Sequence, residues 1–236
     1  MKKLLTSTLL SATVLGAGLV ASSNVNADDV KEGASTATAV QFVGGTDPIK
    51  PVDPTNPTNP TDPGDGGGTG NPGPLSIVYA TKDISFGADN KITAAGYSIK
   101  AHDDIAVEVG DIRGNNKGWA LSVKSDQFSD GATTNPQILE GAVISFEPGS
   151  SVVANGGTSL AATTDIVKDT TVGGVPLKAD GVVKDGANKG KTQGAGLNVD
   201  TIAKDKITLT IPANSAAADV AYKSTLNWTL SDVAVS

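Results

Sequence analysis

The feature that most restricts how this chain can fold is a proline repeat near its beginning. Residues 46–74 hold eight of the twelve prolines and six glycines. The repeat places proline at every third position, at Pro48, Pro51, Pro54, Pro57, Pro60 and Pro63. Polyproline II has about three residues per turn, so this spacing predicts a semi-rigid spacer, which is favoured over a proline-recognition ligand. Few apolar side chains lie in the range, and we expect no core there. We predict a disordered Pro/Gly-rich linker over 46–74, ahead of a domain over 75–236.

Residues 1–27 have the pattern of a signal peptide. Lys2 and Lys3 precede an apolar stretch from Leu4 to Val20, and small residues lie before Ala27. We predict export with cleavage after Ala27. Residues 28–45 then form an N-terminal segment that either adds one strand to the domain or remains a tail. The chain ends without a sorting motif of the LPxTG type or an apolar tail, so we expect release or retention by binding, not a covalent anchor.

Composition excludes several classes of protein. The chain has no cysteine, one histidine and a formal net charge of −7. Disulfides, thiolate metal sites and cysteine nucleophiles are therefore absent, and the acidic balance argues against nucleic acid as a partner. The sequence singles out no pair of catalytic carboxylates, so we predict a protein that is not an enzyme and uses no cofactor. His102-Asp103-Asp104, with Glu108 and Asp111, is weighed as a calcium site, but a solvated turn is favoured.

The pattern after residue 74 is that of short strands between turns. Ile105, Val107 and Val109 alternate with Ala106, Glu108 and Gly110, which is typical of a half-buried strand. The predicted strands cover 75–79, 105–110, 119–123, 142–146, 151–153, 207–211 and 225–230. We predict an all-β, antiparallel sandwich-like domain. Residues 165–199 are rich in turn residues and weakly apolar, so we expect a protruding loop or loose hairpin that is suited to specific contacts.

Both tryptophans of the chain lie in the same short pattern, W-x-L. The two copies are Trp119-Ala120-Leu121 and Trp228-Thr229-Leu230. On a strand, Trp and Leu at this spacing share one face, so two such strands can bury their indoles together. Core packing is the favoured role for both indoles, and stacking on the sugar rings of a ligand is the alternative.

Wider motifs surround these tryptophans. Asp111–Gly114 and Lys117–Val123 read D-x-R-G followed by G-W-x-L-x-V, and Leu226–Asp232 carries the second W-x-L. The opening Leu75–Ile77 leads to Ile84–Gly87, which gives L-S-I and then I-S-F-G. With these motifs the chain resembles the WxL-domain proteins, which are exported, wall-associated proteins of low-GC Gram-positive bacteria. The resemblance covers essentially the whole chain after residue 27, apart from the variable region 165–199.

The resemblance implies non-covalent attachment outside the cell, with peptidoglycan as the anchor. It also implies assembly with a larger membrane-anchored WxL-interacting protein and other surface proteins of the same gene cluster. An adhesin that binds host matrix or surface ligands is the alternative function. The binding residues would be those of the two W-x-L motifs. Asp111, Arg113, Gly114 and Gly118 would form a supporting loop. In that loop, Arg113 either forms a forked ion pair with Asp111 or another acid, or is an exposed turn charge.

Overall fold

The structure is a computed structural model that describes residues 35–57 and 64–232. The predicted signal peptide over 1–27 lies outside the described residues. The chain divides into two units, Met1–Gln41 and Phe42–Ser236. In the first unit, residues 35–41 are exposed and belong to no helix or strand. No helix among the described residues has the length and apolar content needed to cross a membrane.

The second unit is built from short strands and two single-turn 3₁₀ helices. The strands are β1 (Leu75–Ala80), β2 (Tyr97–Lys100), β3 (Ile105–Asp111), β4 (Trp119–Ser125), β5 (Val143–Phe146), β6 (Ser150–Val153), β7 (Thr163–Thr164), β8 (Gly174–Ala179), β9 (Gly181–Val182), β10 (Thr192–Gln193), β11 (Gly196–Ile202), β12 (Ile207–Ile211) and β13 (Leu226–Ser231). The 3₁₀ helices are Ala154–Gly156 and Lys204–Lys206. The predicted all-β class is confirmed, and each strand predicted from the alternation of side chains is present.

The strands form three larger sheets and one small hairpin. Their orders are β1-β3-β11-β6, β2-β12-β5, β13-β4-β8-β7 and β9-β10. All pairings between these strands are antiparallel. The main core lies between the inner faces of the three larger sheets and includes Val107, Trp119, Ile144 and Leu177. This arrangement confirms the antiparallel fold expected from the sequence.

Strand β3 is buried on both faces, so the expectation of a half-buried strand is wrong. Ile105, Val107 and Val109 contribute to the main core. On the opposite face, Glu108 is also completely buried. The second face is covered by residues 44–57, which we call the strap, and Val52 of the strap joins a second small core with Val78, Ala154, Leu197 and Val199.

The strap also corrects the expectation that no core residue lies within 46–74. Val52 is 1% exposed, and its backbone N–H donates to both carboxylate oxygens of Glu108 at 3.3 and 3.2 Å. Further along, the hydroxyl of Tyr79 donates to Asp65, and Gly68 pairs with Tyr79. Residues 58–63, in the middle of the predicted linker, lie outside the described residues.

The expectation that residues 165–199 protrude as a loop is also wrong for most of that range. Strand β8 inserts between β4 and β7, and its Leu177 and Ala179 are completely buried. The first residues of β11 lie in the same range, and this strand pairs with β3 along its whole length. Only the β9-β10 hairpin between residues 181 and 193 matches the expected projection.

Candidate functional site

The first W-x-L motif is inside the protein. Trp119, Ala120 and Leu121 are 0%, 2% and 1% exposed. The indole Nε1 of Trp119 donates to the carbonyl oxygen of Gly194 at 3.0 Å, so the polar atom of the side chain is satisfied within the fold. These three side chains cannot touch a ligand in this conformation.

The second W-x-L motif lies on β13, the outermost strand of its sheet. Trp228 is half-buried and stacks on Phe146, with ring centroids 6.5 Å apart and an angle of 10° between the planes. The pairing of β13 with β4 sets Trp228 opposite Val123 and Ser231 opposite Ala120. The two indoles therefore share a face but lie several residues apart, and Trp228 stacks on Phe146 instead of on Trp119. Thr229 is exposed and Leu230 is half-buried.

Arg113 adopts the first of its two predicted roles. Its Nε donates to Asp111 Oδ1 at 2.9 Å and its Nη2 donates to Asp111 Oδ2 at 2.8 Å, which is a forked ion pair. The two side chains are only 10% and 7% exposed. Hydrogen bonding to Asp111 raises the pKa of Arg113 above its ordinary value, although burial opposes this shift.

The same guanidinium closes the loop that leads into Trp119. Arg113 Nη2 also donates to the carbonyl oxygens of Lys117 and Gly118, at 3.0 and 3.2 Å. Gly114 has a φ of +66°, which a residue with a side chain rarely adopts, and Gly118 is buried directly before β4. The supporting loop is therefore held from within by Arg113, and the backbone of Trp119 follows directly from it.

Three motif segments that are far apart in sequence meet at one groove of about 660 Å³, which we call the motif groove. It is lined by Leu75, Ser76 and Ile77 of the L-S-I opening, by Arg113, Asn115 and Lys117 of the D-x-R-G loop, by Leu230, Ser231 and Asp232 after the second tryptophan, and by Asn71, Pro72 and Pro74. Asn71, Asn115 and Lys117 are exposed, whereas Ile77 and Leu230 are half-buried. The groove thus combines hydrogen-bonding groups, apolar side chains, the ammonium of Lys117 and the carboxylate of Asp232.

A second and larger opening, of about 1240 Å³, is lined in part by Trp228, and we call it the aromatic cleft. Its lining includes Tyr97 and Ile99 of β2 and Leu226 and Trp228 of β13. Phe86, Phe128 and Tyr222 add further aromatic surface. These residues are mostly apolar and pack against the edge of the main core.

Comparison with protein-family models decides the family. A model described as "WxL domain surface cell wall-binding" matches residues 29–233, which is most of the chain. The chain belongs to the WxL domain family. This WxL protein is therefore associated with the cell surface through binding to the cell wall, and its family is one of wall-binding proteins, not of enzymes. Comparison with curated proteins and with solved structures gave no match.

The acidic residues considered as a calcium site have separate roles in the WxL domain. Asp103 Oδ2 accepts a hydrogen bond from Ser85 N, and Asp104 Oδ1 accepts one from Lys204 N. Glu108 is buried under the strap and Asp111 is paired with Arg113. Among residues 35–57 and 64–232, no group of three His, Asp or Glu side chains is placed to hold a metal ion.

Sequence reasoning missed the residues that fix the first tryptophan of the WxL domain. Asn198 Nδ2 donates to Gly194 O, the same carbonyl that accepts from Trp119, and Asn198 Oδ1 accepts from Ala162 N. Asn198 is completely buried on β11. The available signal was an Asn between Leu197 and Val199, because a buried amide needs partners on both of its polar atoms.

Proposed function

We propose that this WxL domain binds peptidoglycan directly and that the motif groove is its contact surface. The convergence of the three motif segments on one groove supports this assignment. Muropeptides carry sugar hydroxyls, amides and free carboxylates. The groove offers the ammonium of Lys117 for a carboxylate and the exposed side chains of Asn71 and Asn115 for hydroxyls or amides.

The charge of the whole protein favours a local contact over bulk attraction. The formal net charge is −7, and wall teichoic acids carry phosphates of the same sign. Retention therefore needs specific groups at one surface. In the motif groove, Arg113 is neutralised by Asp111, which leaves Lys117 as the cation available to a ligand.

In this proposal the tryptophans act through the fold. Trp119 is sealed inside the main core and holds β4 against the Gly194 turn. Trp228 anchors β13 on Phe146, so that Leu230 and Asp232 reach the groove. The W-x-L pair then positions the strands that build the contact surface, and only Leu230 of the six motif residues lines it.

Sedimentation with protein-free peptidoglycan tests this proposal. Lys117→Glu reverses the charge in the groove, and Lys124→Glu is the matched control because Lys124 is an exposed β4 residue that does not line it. We expect the first variant to lose at least about tenfold in affinity and the control to bind like wild type. Equal binding by both variants contradicts the assignment of the groove. A loss confined to a folded Trp228→Ala variant would place the glycan in the aromatic cleft instead.

The proposal includes export through the signal peptide predicted over 1–27 and membership of a multiprotein envelope assembly. Its basis is the family resemblance, which implies a membrane-anchored WxL-interacting protein as the partner. Co-purification of the wall-bound protein with that partner, before and after digestion of the peptidoglycan, tests this part. If the two proteins separate once the wall is digested, they share only the wall. Parallel binding to immobilised host matrix tests the adhesin alternative.

A further inference from the structure

The β9-β10 hairpin carries a local excess of positive charge. Residues 181–193, which we call the basic hairpin, hold three lysines and one acid, Asp185, in a chain whose formal net charge is −7, and Asp180 directly precedes them. The three hairpin lysines are exposed, and they are Lys184, Lys189 and Lys191. Lys191 Nζ donates to the neutral side chain of Asn188 at 3.1 Å. Within the part of the chain that the structure describes, no carboxylate forms an ion pair with a hairpin lysine, so their charges are available to an anion from outside.

Hydrogen bonds within the basic hairpin bring its lysines close to one another. Val183 N donates to Lys191 O at 3.0 Å, and Gly190 N donates to Val183 O at 2.8 Å. Lys184 follows Val183 and Lys189 precedes Gly190, so these two lysines occupy neighbouring positions across the hairpin. The positive charges are therefore concentrated at the tip.

The base of the basic hairpin is fixed to the domain beside the motif groove. Leu160 N donates to Thr192 O at 2.9 Å on one side of the base. On the other side Gly181 is buried, and an added Cβ there would overlap the backbone of Asn116 and Lys117. Lys117 lines the motif groove. The hairpin therefore starts next to the loop that forms part of the groove, and it extends the surface offered to the wall.

A projecting basic tip can bind a polyanion although the whole chain is acidic. Residues 184–191 are all exposed. At physiological ionic strength the field of an exposed charge is screened over about 8 Å, so a polymer at the tip meets the hairpin lysines before the acidic remainder of the domain. The tip has no pocket for a small anion, and a single exposed ion pair is weak. A flexible chain of repeated charges can engage several lysines at once.

We propose that the basic hairpin binds a phosphodiester polymer of the cell wall, of the teichoic acid type. The family associates the protein with the wall, where such phosphates are the charges complementary to these lysines. A lysine ammonium binds phosphate as a point charge, without the fixed geometry that an arginine fork needs. The proposal rests on the association with the wall and not on the assignment of the motif groove to peptidoglycan.

Binding of the purified protein to immobilised poly(glycerol phosphate) tests the proposal. The hairpin variant combines Lys184→Gln, Lys189→Gln and Lys191→Gln. Sedimentation with peptidoglycan freed of phosphate polymers by acid is measured in parallel, so that the hairpin and the motif groove are tested separately.

The control variant makes the same change of charge elsewhere. It combines Lys91→Gln, Lys124→Gln and Lys168→Gln, three exposed lysines that lie outside the basic hairpin and do not line the motif groove. All six changes are at exposed positions, so both variants are expected to fold.

We expect wild type and the control variant to bind the polymer, with an affinity that falls as salt rises from about 50 to 200 mM, because exposed charges are screened. The hairpin variant should lose at least about tenfold in this affinity and still sediment with the polymer-free peptidoglycan like wild type.

Three results would overturn the proposal. They are a wild type that does not bind the polymer, which would leave the lysines to an acidic protein surface, a hairpin variant with wild-type affinity, and a control variant that loses as much as the hairpin variant. If wild type binds the polymer through the hairpin lysines but does not sediment with polymer-free peptidoglycan, the hairpin proposal stands and only the peptidoglycan assignment of the motif groove fails.

Discussion

The indole of Trp119 and the backbone of Gly194 are joined by a hydrogen bond of 3.0 Å in the interior of the domain. Gly194 has a φ of +76°, and an added Cβ at this position would overlap Ala179 and the Trp119 ring. Gly194, in the turn before β11, thus accommodates the indole in two ways. Its carbonyl oxygen accepts the indole hydrogen bond, and its lack of a side chain leaves room for the ring. The first W-x-L motif therefore packs the interior of the domain and does not form part of its surface.

Replacing Trp119 by Phe should destabilise the protein without abolishing wall binding. The change keeps an aromatic ring in the core but removes the donor to Gly194 O and leaves unfilled volume. We expect a loss of about 2–3 kcal/mol in the free energy of unfolding, measured with urea. The folded Trp119→Phe protein should still sediment with peptidoglycan. If the Trp119→Phe protein is folded but no longer binds the wall, the buried indole has a role beyond packing.

Gly194→Ala should be considerably more damaging than Gly190→Ala. Both glycines have positive φ, at +76° and +80°, so alanine costs each about 1 kcal/mol or somewhat more. Nothing lies within 4 Å of an added Cβ at Gly190, whereas the Cβ at Gly194 meets Ala179 and Trp119. Overpacking adds about 1–3 kcal/mol at Gly194 alone. Thermal or urea unfolding of the pair measures the difference, and equal losses would mean that the turn can shift away from the ring.

The sequence predicted the strands that alternate clearly but not the burial of both faces of β3. The alternation of Val107 and Glu108 predicts that one face of β3 is exposed to solvent, because a carboxylate is seldom buried. The strap reverses this expectation, since the Val52 N–H donates to the Glu108 carboxylate and covers it. A single Val among prolines gives no periodic signal, so this tertiary contact was not predictable from the pattern of residues 46–74.

Strand β8 was missed for a different reason. Its surroundings in residues 165–199 are rich in turn residues and weakly apolar, which led to the prediction of a loop, and Pro176 within the strand also argues against a central position. The pairing of β4 with β8 shifts register between Leu121 and Val123, and this irregularity accommodates Pro176, which cannot donate a backbone hydrogen bond.

The motif segments themselves were identified from sequence, but their meeting at one groove depends on the pairing of β13 with β4 and of β1 with β3. Those long-range pairings carry no local signal.

Arg113→Lys should destabilise the supporting loop although it preserves the charge. Lysine cannot reproduce the fork on Asp111 or reach the carbonyl oxygens of Lys117 and Gly118 at the same time. We expect a loss of about 2 kcal/mol, because the pair is mostly buried. Glu147→Gln is the control, since its pair with Lys100 is 4.0 Å long and exposed, and its loss should cost less than about 0.5 kcal/mol. Urea unfolding compares the two, and a similar small cost for both would show that the fork is not needed.

Asp200→Asn should change how stability depends on pH. Asp200 is 3% exposed, its Oδ1 has no hydrogen-bond partner among the described residues, and burial raises its pKa to about 7 against the opposing charge of Lys206. The unfolded chain releases this proton near pH 4, so the folded state alone holds it between about pH 4 and 7. The free energy of unfolding should therefore fall across this range, by up to about 4 kcal/mol, and level off above it.

The asparagine variant should lose this fall and be more stable than wild type near pH 8. Asp205→Asn, an exposed neighbour, is the control and should leave the pH profile of wild type unchanged. Urea unfolding at a series of pH values measures the slope. A wild-type profile that is flat between about pH 4 and 7 would mean that Asp200 is ionised and solvated in the folded protein.

Val52→Ala should show that the strap is part of the domain. Val52 is 1% exposed and packs with Val78, Leu197 and Val199, so removing two methyl groups should cost about 2 kcal/mol in the free energy of unfolding. Val172→Ala makes the same chemical change at a side chain that is 77% exposed and should cost almost nothing. Hydrogen exchange of the β3 amides provides the second measurement, because loosening the strap should uncover the Glu108 face first. If Val52→Ala and Val172→Ala are equally stable, residues 44–57 only rest on the sheet, and the domain begins after them.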